Sequence, residues 1–298
     1  MTDSTPHRFP AHVANVGGLP LNRALPTRGK RMVGAWCFLD HAGPADIGDG
    51  AGLRVGPHPH TGLQTFTWMI DGELLHRDSL GTVQLIRPGQ VNLMTAGRGI
   101  SHSEESPLPH SPRLQAAQLW IALPDAVRHC PPAFEHYPEL PRSTCDGFAM
   151  TLLVGEAPGQ RSPVRVHSPL FAMDLVAQGA AATTLTLRRD FEYGVLVLEG
   201  EAAVDGAPLP MDTLLYIAPG RTQLALAAPA GARILLLGGE PFGEDVLLFW
   251  NFVGRTPEEM ADAARQWNAG DARFGEVRGF DGPRLVAPEI PAGLKPSR

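Results

Sequence analysis

Two stretches of the chain repeat one pattern of short apolar runs, and this duplication limits the possible fold more than any other feature. In the first stretch WMIDGE leads to PGQVNLMTAGRGISHSE, and in the second LVLEGE leads to PMDTLLYIAPGRTQLAL. Gln90 aligns with Asp212 and Ala96 with Ala218, and both pairs are 122 positions apart. A repeat unit of this length predicts a duplicated domain and not a solenoid.

The turn residues between the apolar runs indicate strands. The 298 residues include 33 glycines and 29 prolines, and these separate short apolar runs instead of forming a low-complexity tract. Runs such as QTFTWMIDGEL and YGVLVLEGEAAV have the composition of strands bounded by turns. We therefore predict an all-β protein made of two β-barrels.

Composition also predicts the domain boundaries. Residues 1–124 are expected to form the first barrel, and the Pro-rich residues 125–142, which lack periodicity, a linker. Residues 143–298 are expected to form the second barrel and to end in a helix at about 256–267. Thr256 suits the N-cap of that helix, because a proline and two glutamates follow it.

Charge and hydropathy exclude several classes of protein. The net charge is −6 and no run rich in lysine and arginine is present, so direct binding to nucleic acid is not expected. No apolar run is long enough to span a membrane and the first residues lack a signal-peptide pattern, which predicts a cytoplasmic protein. Cys37, Cys130 and Cys145 have no C-x-x-C spacing, so we expect reduced thiols.

Two pairs of polar residues have the spacing of metal ligands on strands. His58 and His60 lie in PHPHTGLQT, and His102 and Glu104 lie in GISHSEES. Side chains at positions i and i+2 of a strand share one face, with about 6.6 Å of strand between them. If the two strands are neighbours in one barrel, three imidazoles and one carboxylate converge.

Such a set of ligands suits a first-row transition ion. Imidazole and carboxylate match Fe(II), Mn, Ni, Cu or Zn, and the absence of thiolate argues against a structural zinc site. Four protein ligands leave two positions of an octahedral ion open for substrate and dioxygen. A single H-x-H is a weak signal, and the second pair on the same predicted barrel strengthens it.

The second repeat lacks these polar residues, so only the first barrel is predicted to bind metal. An offset of 122 aligns His102 and Glu104 with leucines, and alignment of Gly72 with Gly200 gives an offset of 128 for the other pair. The resulting partners are Leu224 for His102, Leu226 for Glu104, Thr186 for His58 and Arg188 for His60.

Other residues near the predicted site have weaker patterns. His76 is expected beyond a hairpin turn, either beside the ligands or at the surface. Trp68 and Trp120 are expected in the core or lining the barrel, and the alternative is that they stack on an aromatic substrate.

Four ordered segments together resemble the pirin family, bicupins of the cupin superfamily: HPHTGLQT, GRGISHSE, AAQLWIALP and GGEPFGEDV…NFVGRTPEEM. The similarity spans nearly the whole chain and implies two cupin-type barrels (double-stranded β-helix, or jelly roll) in tandem with a C-terminal helix. It also implies one metal ion, usually iron and hence most simply Fe(II), in the N-terminal barrel. The implied ligands are His58, His60, His102 and Glu104.

The resemblance has one local departure and supports two functions. Thr61, Leu63 and Gln64 stand where a typical pirin motif has Arg, Phe and Glu. The first function is a metal-dependent dioxygenase of the quercetin 2,3-dioxygenase type, acting with O2 on a flavonol or a similar enolisable aromatic, with Glu104 as ligand and transient base. The second is a non-enzymatic regulatory protein that binds a protein partner according to the oxidation state of its metal.

Overall fold

The computed structural model describes residues 6–48, 50, 52–291 and 293–294, and these form mainly β-strands. The first twelve strands are β1 (His7–Pro10), β2 (His12–Val16), β3 (Leu19–Leu25), β4 (Trp36–Asp46), β5 (Arg54–His60), β6 (Leu63–Asp71), β7 (Leu74–Asp78), β8 (Val83–Ile86), β9 (Val91–Thr95), β10 (Ile100–Glu105), β11 (Arg113–Ala122) and β12 (Ala133–Tyr137).

The later strands are β13 (Arg142–Cys145), β14 (Phe148–Val154), β15 (Glu156–Ala157), β16 (Gln160–Arg161), β17 (Leu170–Ala177), β18 (Ala181–Thr186), β19 (Glu192–Glu199), β20 (Ala202–Val204), β21 (Ala207–Leu209), β22 (Thr213–Ile217), β23 (Gln223–Ala228), β24 (Arg233–Gly239), β25 (Leu247–Phe249) and β26 (Phe252–Gly254). The α-helix α1 (Pro257–Ala269) and a 3-10 turn (Ala272–Phe274) follow.

Both halves of the chain build the same pair of sheets, which confirms the predicted duplication and the all-β class. The first half has a seven-stranded sheet of order β12-β9-β6-β11-β4-β3-β2 and a four-stranded sheet of order β5-β10-β7-β8. The second half repeats this as β1-β22-β19-β24-β17-β14-β13 and β18-β23-β20-β21. Two antiparallel sheets in each half form the two tandem cupin-type barrels that the sequence predicts.

The edge strands of the two large sheets come from unexpected parts of the chain. β1 at the N-terminus pairs with β22 of the second barrel. β12 lies inside the predicted linker and pairs with β9 of the first barrel, over residues Ala133–Tyr137. Proline-rich composition hides this strand, because proline is tolerated in the segments that flank an edge strand.

The chain therefore divides into compact units that differ from the predicted domains. One unit contains the chain up to His12, together with Asn22–His41 and Glu139–Phe242. The other contains Val13–Leu21, Ala42–Pro138 and Gly243–Arg298. The C-terminal segment thus belongs with the first barrel and not, as expected, with the second, because it forms hydrogen bonds to residues beside and within β5 and β10.

The predicted helix is present and its ends have the expected caps. Thr256 accepts a hydrogen bond from the backbone N–H of Glu259, and Gly270 ends the helix in the left-handed conformation. The residues buried on its inner face are Met260, Ala263, Ala264 and Trp267. In the part of the chain that the structure describes, no helix combines the length and the apolar composition needed to cross a membrane.

Alternation along the strands creates the core of the second barrel. Val195, Val197, Ile234 and Leu236 occupy every second position of β19 and β24, and all four are at most 1 % exposed. Because successive strand residues point to opposite faces, these side chains share the interior face. Apolar packing between these side chains stabilises the interior of this barrel.

The C-terminal segment holds the two strands that carry the predicted ligands. The N–H of Val253 donates to the carbonyl of Thr61 at 3.0 Å, and the N–H of Leu285 donates to that of Pro57 at 2.8 Å. Ser101 Oγ donates to the carbonyl of Phe274 at 3.0 Å. These contacts connect the segment to β10 and to both sides of the H-P-H motif.

Phe252 anchors this segment, and its truncation tests the contribution of the segment to stability. The ring is fully buried, with the rings of Trp250 and Phe274 beside it. We expect Phe252→Ala to lower the free energy of unfolding by about 3–5 kcal/mol in urea titrations, through lost burial and a cavity. Phe280→Ala, which truncates a half-buried ring in the same segment, is the matched control and is expected to cost about 1 kcal/mol or less. Equal losses would contradict the anchoring role.

Candidate metal centre

Strand pairing brings three of the four predicted ligands to one point. β5 and β10 are antiparallel neighbours, with His58 opposite His102 and His60 opposite Ile100. Ring nitrogens of His58, His60 and His102 all lie within 4.8 Å of one another, and all three side chains are buried. The expectation that these two strands are neighbours in one barrel is therefore confirmed.

Glu104, the fourth predicted ligand, is not among the residues of this group. The β5–β10 register shifts between His102 and Glu104, so that Glu104 lies opposite Val55. The residue is half-buried, and its carboxyl oxygens are not part of the group of atoms within 4.8 Å. Burial raises the pKa of this carboxyl, and the nearby His76 opposes the rise. Glu104 as the fourth ligand stays a prediction.

Backbone carbonyls determine which nitrogen of His58 and His60 carries the proton. Nδ1 of His58 lies 2.9 Å from the carbonyl oxygen of Gly56, and Nδ1 of His60 lies 2.9 Å from that of Asn251. A carbonyl oxygen only accepts, so each Nδ1 must be the N–H donor and each Nε2 keeps its lone pair. Asn251, in the C-terminal segment, contributes through its backbone, which no residue pattern could reveal.

A second chain of contacts has the same effect on His102. Nε2 of His76 donates to Oδ2 of Asp78 at 3.1 Å, which leaves Nδ1 of His76 as an acceptor. Nδ1 of His102 lies 3.4 Å from that nitrogen and donates to it. Oδ1 of Asp78 accepts the N–H groups of Leu80 and Thr82. The buried His76 thus lies beside the ligands, which was one of the two predicted placements.

With the proton on Nδ1 of each ring, the Nε2 lone pairs of His58, His60 and His102 are directed at the space between the three rings. Nε2 of His60 and Nε2 of His102 are 3.1 Å apart, with no proton available to either. Facing lone pairs at this distance repel each other unless a cation lies between them. Two nitrogens bound at about 2.1 Å and at right angles to one ion are separated by about 3 Å. The residues therefore fit a transition ion held by three Nε2 atoms.

Burial keeps the cluster neutral. It lowers the pKa of His58 to about 4, with a smaller opposing effect of the hydrogen bond to Gly56. Burial, followed by the neighbouring His58, lowers the pKa of both His60 and His102 well below the usual value. Neutral imidazoles bind a cation without first releasing a proton, so the site is ready for metal at neutral pH.

Hydrogen bonds outweigh burial at Asp78. Burial alone raises the pKa of this carboxyl, but the hydrogen bonds from His76 and Thr82 leave it below the usual value. The group is thus an ionised acceptor at neutral pH. Its pattern was visible in the sequence, because His76 and Asp78 form a third pair at i and i+2, on β7.

Aromatic rings form the walls around the imidazoles. Trp120 lies edge-on to His60 with ring centroids 5.2 Å apart, and Phe134 stacks on His76 at 4.4 Å. Trp68 and Trp120 are both buried, in agreement with the prediction of core or barrel-lining positions. Phe134 was missed because it lies on β12, within the predicted linker.

The three residues that depart from the typical pirin motif are all buried. Leu63 is fully buried, and Thr61 and Gln64 are at most 5 % exposed. Nε2 of Gln64 donates to Oγ1 of Thr95 at 2.9 Å. These side chains therefore belong to the interior and not to the protein surface.

The second barrel has leucines at all four ligand positions, which corrects part of the predicted alignment. β18 and β23 occupy the places of β5 and β10, and Leu185 pairs with Leu224 as His58 pairs with His102. The offset between β5 and β18 is thus 127 and not 128. The difference of one residue matters, because a one-residue slip in register transfers every side chain to the other face of the sheet. The four counterparts are Leu185 for His58, Leu187 for His60, Leu224 for His102 and Leu226 for Glu104.

The contact between His76 and Asp78 can be tested without any catalytic assay. Asn at position 78 still accepts the two backbone N–H groups, but its amide N–H faces Nε2 of His76 and reverses the tautomers of His76 and His102. A proton then occupies Nε2 of His102. We expect Asp78→Asn to weaken metal binding by about 10–100-fold, measured by competition with a chromophoric chelator. Asp71→Asn, at an exposed carboxylate of the same barrel, is the control. Equal affinity in both variants would contradict the assignment.

Comparisons with known proteins agree with this architecture. Residues 18–121 match the Pirin family, and residues 172–275 match the Pirin C-terminal cupin domain. A Pseudomonas aeruginosa protein named "putative quercetin 2,3-dioxygenase" is 55% identical over 95% of this chain and 90% of its own. A pirin-like protein of Caulobacter vibrioides is 38% identical over 90% of this chain and 95% of its own.

Similarity to a solved structure extends over almost all of the chain. The crystal structure of an Acinetobacter baumannii quercetin 2,3-dioxygenase superposes with a TM-score of 0.96 and 51% identity, covering 98% of both chains. The matched domains, the duplicated barrels and the identity across nearly the full length all lead to one assignment. The chain belongs to the pirin family of bicupin proteins.

Proposed function

We propose that the chain is a metal-dependent dioxygenase of the quercetin 2,3-dioxygenase type, acting on a flavonol or a similar enolisable aromatic. The observation that carries this proposal is the set of three Nε2 lone pairs that converge in a buried, aromatic-walled site. Two relatives more than 50% identical to the chain are named for this activity. Fe(II) is the proposed ion, with Zn, Mn, Ni and Cu compatible with the same ligands.

Each residue has a separate part in this proposal. His58, His60 and His102 hold the ion, and Glu104 is the fourth ligand and the acceptor of the substrate hydroxyl proton. The bound ion supplies Lewis acidity toward that hydroxyl and exchanges electrons with O2. Trp120, edge-on to His60, keeps water from one side of the site.

Burial supports the role of Glu104 as a base. A carboxyl whose pKa is raised by its surroundings is a stronger base than one in water, and a base with a pKa nearer neutrality is better matched to proton transfer at neutral pH. The three imidazoles, in contrast, cannot accept the substrate proton, because Nδ1 of each ring is already protonated and Nε2 binds the ion.

Metal analysis followed by an oxygen-uptake assay tests the enzyme and the site together. Protein purified without chelator or resin metal is loaded anaerobically with Fe(II) and mixed with quercetin. We expect one ion per chain and substrate-dependent uptake, and loss of both in His60→Ala by about 100-fold or more. His129→Asn, which replaces an exposed histidine, is the control and is expected to behave as wild type.

The outcomes separate the two functions considered from the sequence. Bound metal without oxygen uptake contradicts the dioxygenase and favours the regulatory alternative, for which the next measurement is partner binding in each oxidation state. Failure to bind any divalent ion contradicts the metal site itself.

Glu104→Gln tests the proton acceptor separately from the three imidazoles. The amide keeps the size of the side chain and can still coordinate the ion through its oxygen, but it does not act as a base toward the substrate hydroxyl. We expect metal to be retained and turnover to fall by about 100-fold. Retention of both metal and full turnover would refute the base role of Glu104 while leaving the dioxygenase proposal intact.

A further inference from the structure

The second barrel has a cavity, open to solvent, that the proposed reaction does not use. Its volume is about 800 Å³, and its lining comes entirely from residues between Ser143 and Leu236. Cavities that hold small molecules in proteins are typically about 300–1,000 Å³. The four predicted ligands of the first barrel do not belong to this lining.

The cavity reaches two of the positions in the second barrel that correspond to metal ligands of the first. Leu185 and Leu187, the counterparts of His58 and His60, both line it. With leucines at all four ligand positions, this barrel offers no ligand set for a transition ion at that place. The cavity is therefore suited to binding a molecule through direct contacts with its side chains, and not to binding a metal ion.

Apolar surface is left uncovered toward the cavity. Four half-buried hydrophobic residues pack on the core of this barrel, and every one of them also lines the cavity: Met150, Ala157, Phe171 and Leu185. Their uncovered surface faces this space. Since covering apolar surface is favourable by about 25 cal/mol per Å², a molecule with apolar faces gains affinity here.

The chemistry of the walls favours an aromatic molecule. The rings of Phe171, Phe191 and Tyr193 and the thioethers of Met150 and Met173 contribute to the lining. Aromatic rings pack edge-to-face or offset on one another, and methionine sulfur makes favourable contacts with ring edges. Hydroxyl groups are also present, on Ser143, Thr144 and Thr183, and suit the polar substituents of such a molecule.

Charge at the rim is balanced by neighbouring carboxylates. Arg188 is paired with Asp190 and Glu240, and its guanidinium lies over the ring of Phe191. Arg161 is paired with Glu156 at 3.4 Å. Both arginines thus have acidic partners, which reduces their attraction for an anionic ligand.

From these observations we propose that the second barrel is a separate, non-catalytic binding site for an uncharged aromatic molecule of several rings. The site is independent of the metal centre, because its lining shares no residue with it. Cys145 belongs to the lining and is half-buried, so its thiol reports on occupancy of the cavity.

The uncharged fluorophore N-phenyl-1-naphthylamine is a suitable probe. We expect saturable fluorescence enhancement with one probe per chain in the second barrel, unchanged in His60→Ala and after chelator treatment. The anionic analogue 1-anilinonaphthalene-8-sulfonate is expected to bind about 10-fold more weakly or worse. No saturable binding, dependence on His60, or tighter binding of the anion would each overturn the proposal.

Protection of Cys145 locates the probe in unmodified protein. We expect bound probe to slow the reaction of Cys145 with N-ethylmaleimide by about 5-fold or more, measured by peptide mass spectrometry, as access is blocked. Cys130 is an internal control, because it is also half-buried but lies in the other unit. Saturable probe binding without protection of Cys145 would overturn the assignment to this cavity.

A substitution in the cavity wall gives a second, independent measurement. Leu185→Glu places a charge on the half-exposed side chain of β18, and we expect it to weaken probe binding by about 10-fold or more. Met211→Glu, at a residue 49% exposed in the same barrel and outside the lining, is the matched control. Equal affinity of folded Leu185→Glu and wild type would overturn the proposal, and the protection measurement decides if that variant does not fold.

Discussion

Three buried imidazoles with their Nε2 lone pairs directed at one point are the constraint on which the functional half of this protein depends. Each ring must donate a hydrogen bond from Nδ1–H to a fixed acceptor. Otherwise the proton can reside on Nε2, which then cannot bind a cation. For His58 and His60 the acceptors are backbone carbonyls. For His102 the acceptor is the side chain of His76, which is oriented in turn by Asp78.

This requirement explains the placement of the C-terminal segment. Its residue Asn251 supplies the carbonyl for His60, and its hydrogen bonds to Thr61, Pro57 and Ser101 hold β5 and β10 in position. A cluster of buried apolar side chains that includes Phe252 and Trp267 stabilises the segment. The helix is therefore part of the support of the metal centre, although it follows the second barrel in the chain.

The two barrels show how one architecture supports two kinds of interior. Sheet order is the same in both, but four polar positions of the first barrel are leucines in the second. Buried polar ligands require a hydrogen-bond partner for each of their N–H groups, whereas buried leucines require only apolar neighbours. The first interior contains buried polar side chains that can hold a metal ion, and the second has a cavity lined in part by apolar side chains.

The sequence by itself determined the duplication, the strand-rich class, the helix with its Thr256 cap, and the i, i+2 spacing that puts His58 and His60 on one face of a strand. Those features are local: turn residues, periodicity of two and capping chemistry act over a few residues. Tertiary structure alone decided that β1 pairs with a strand of the second barrel, that β12 pairs with a strand of the first, and that the C-terminal segment joins the first barrel. Strand partners, a register shift and a backbone carbonyl 191 positions away from His60 are set by long-range packing, which no local pattern encodes.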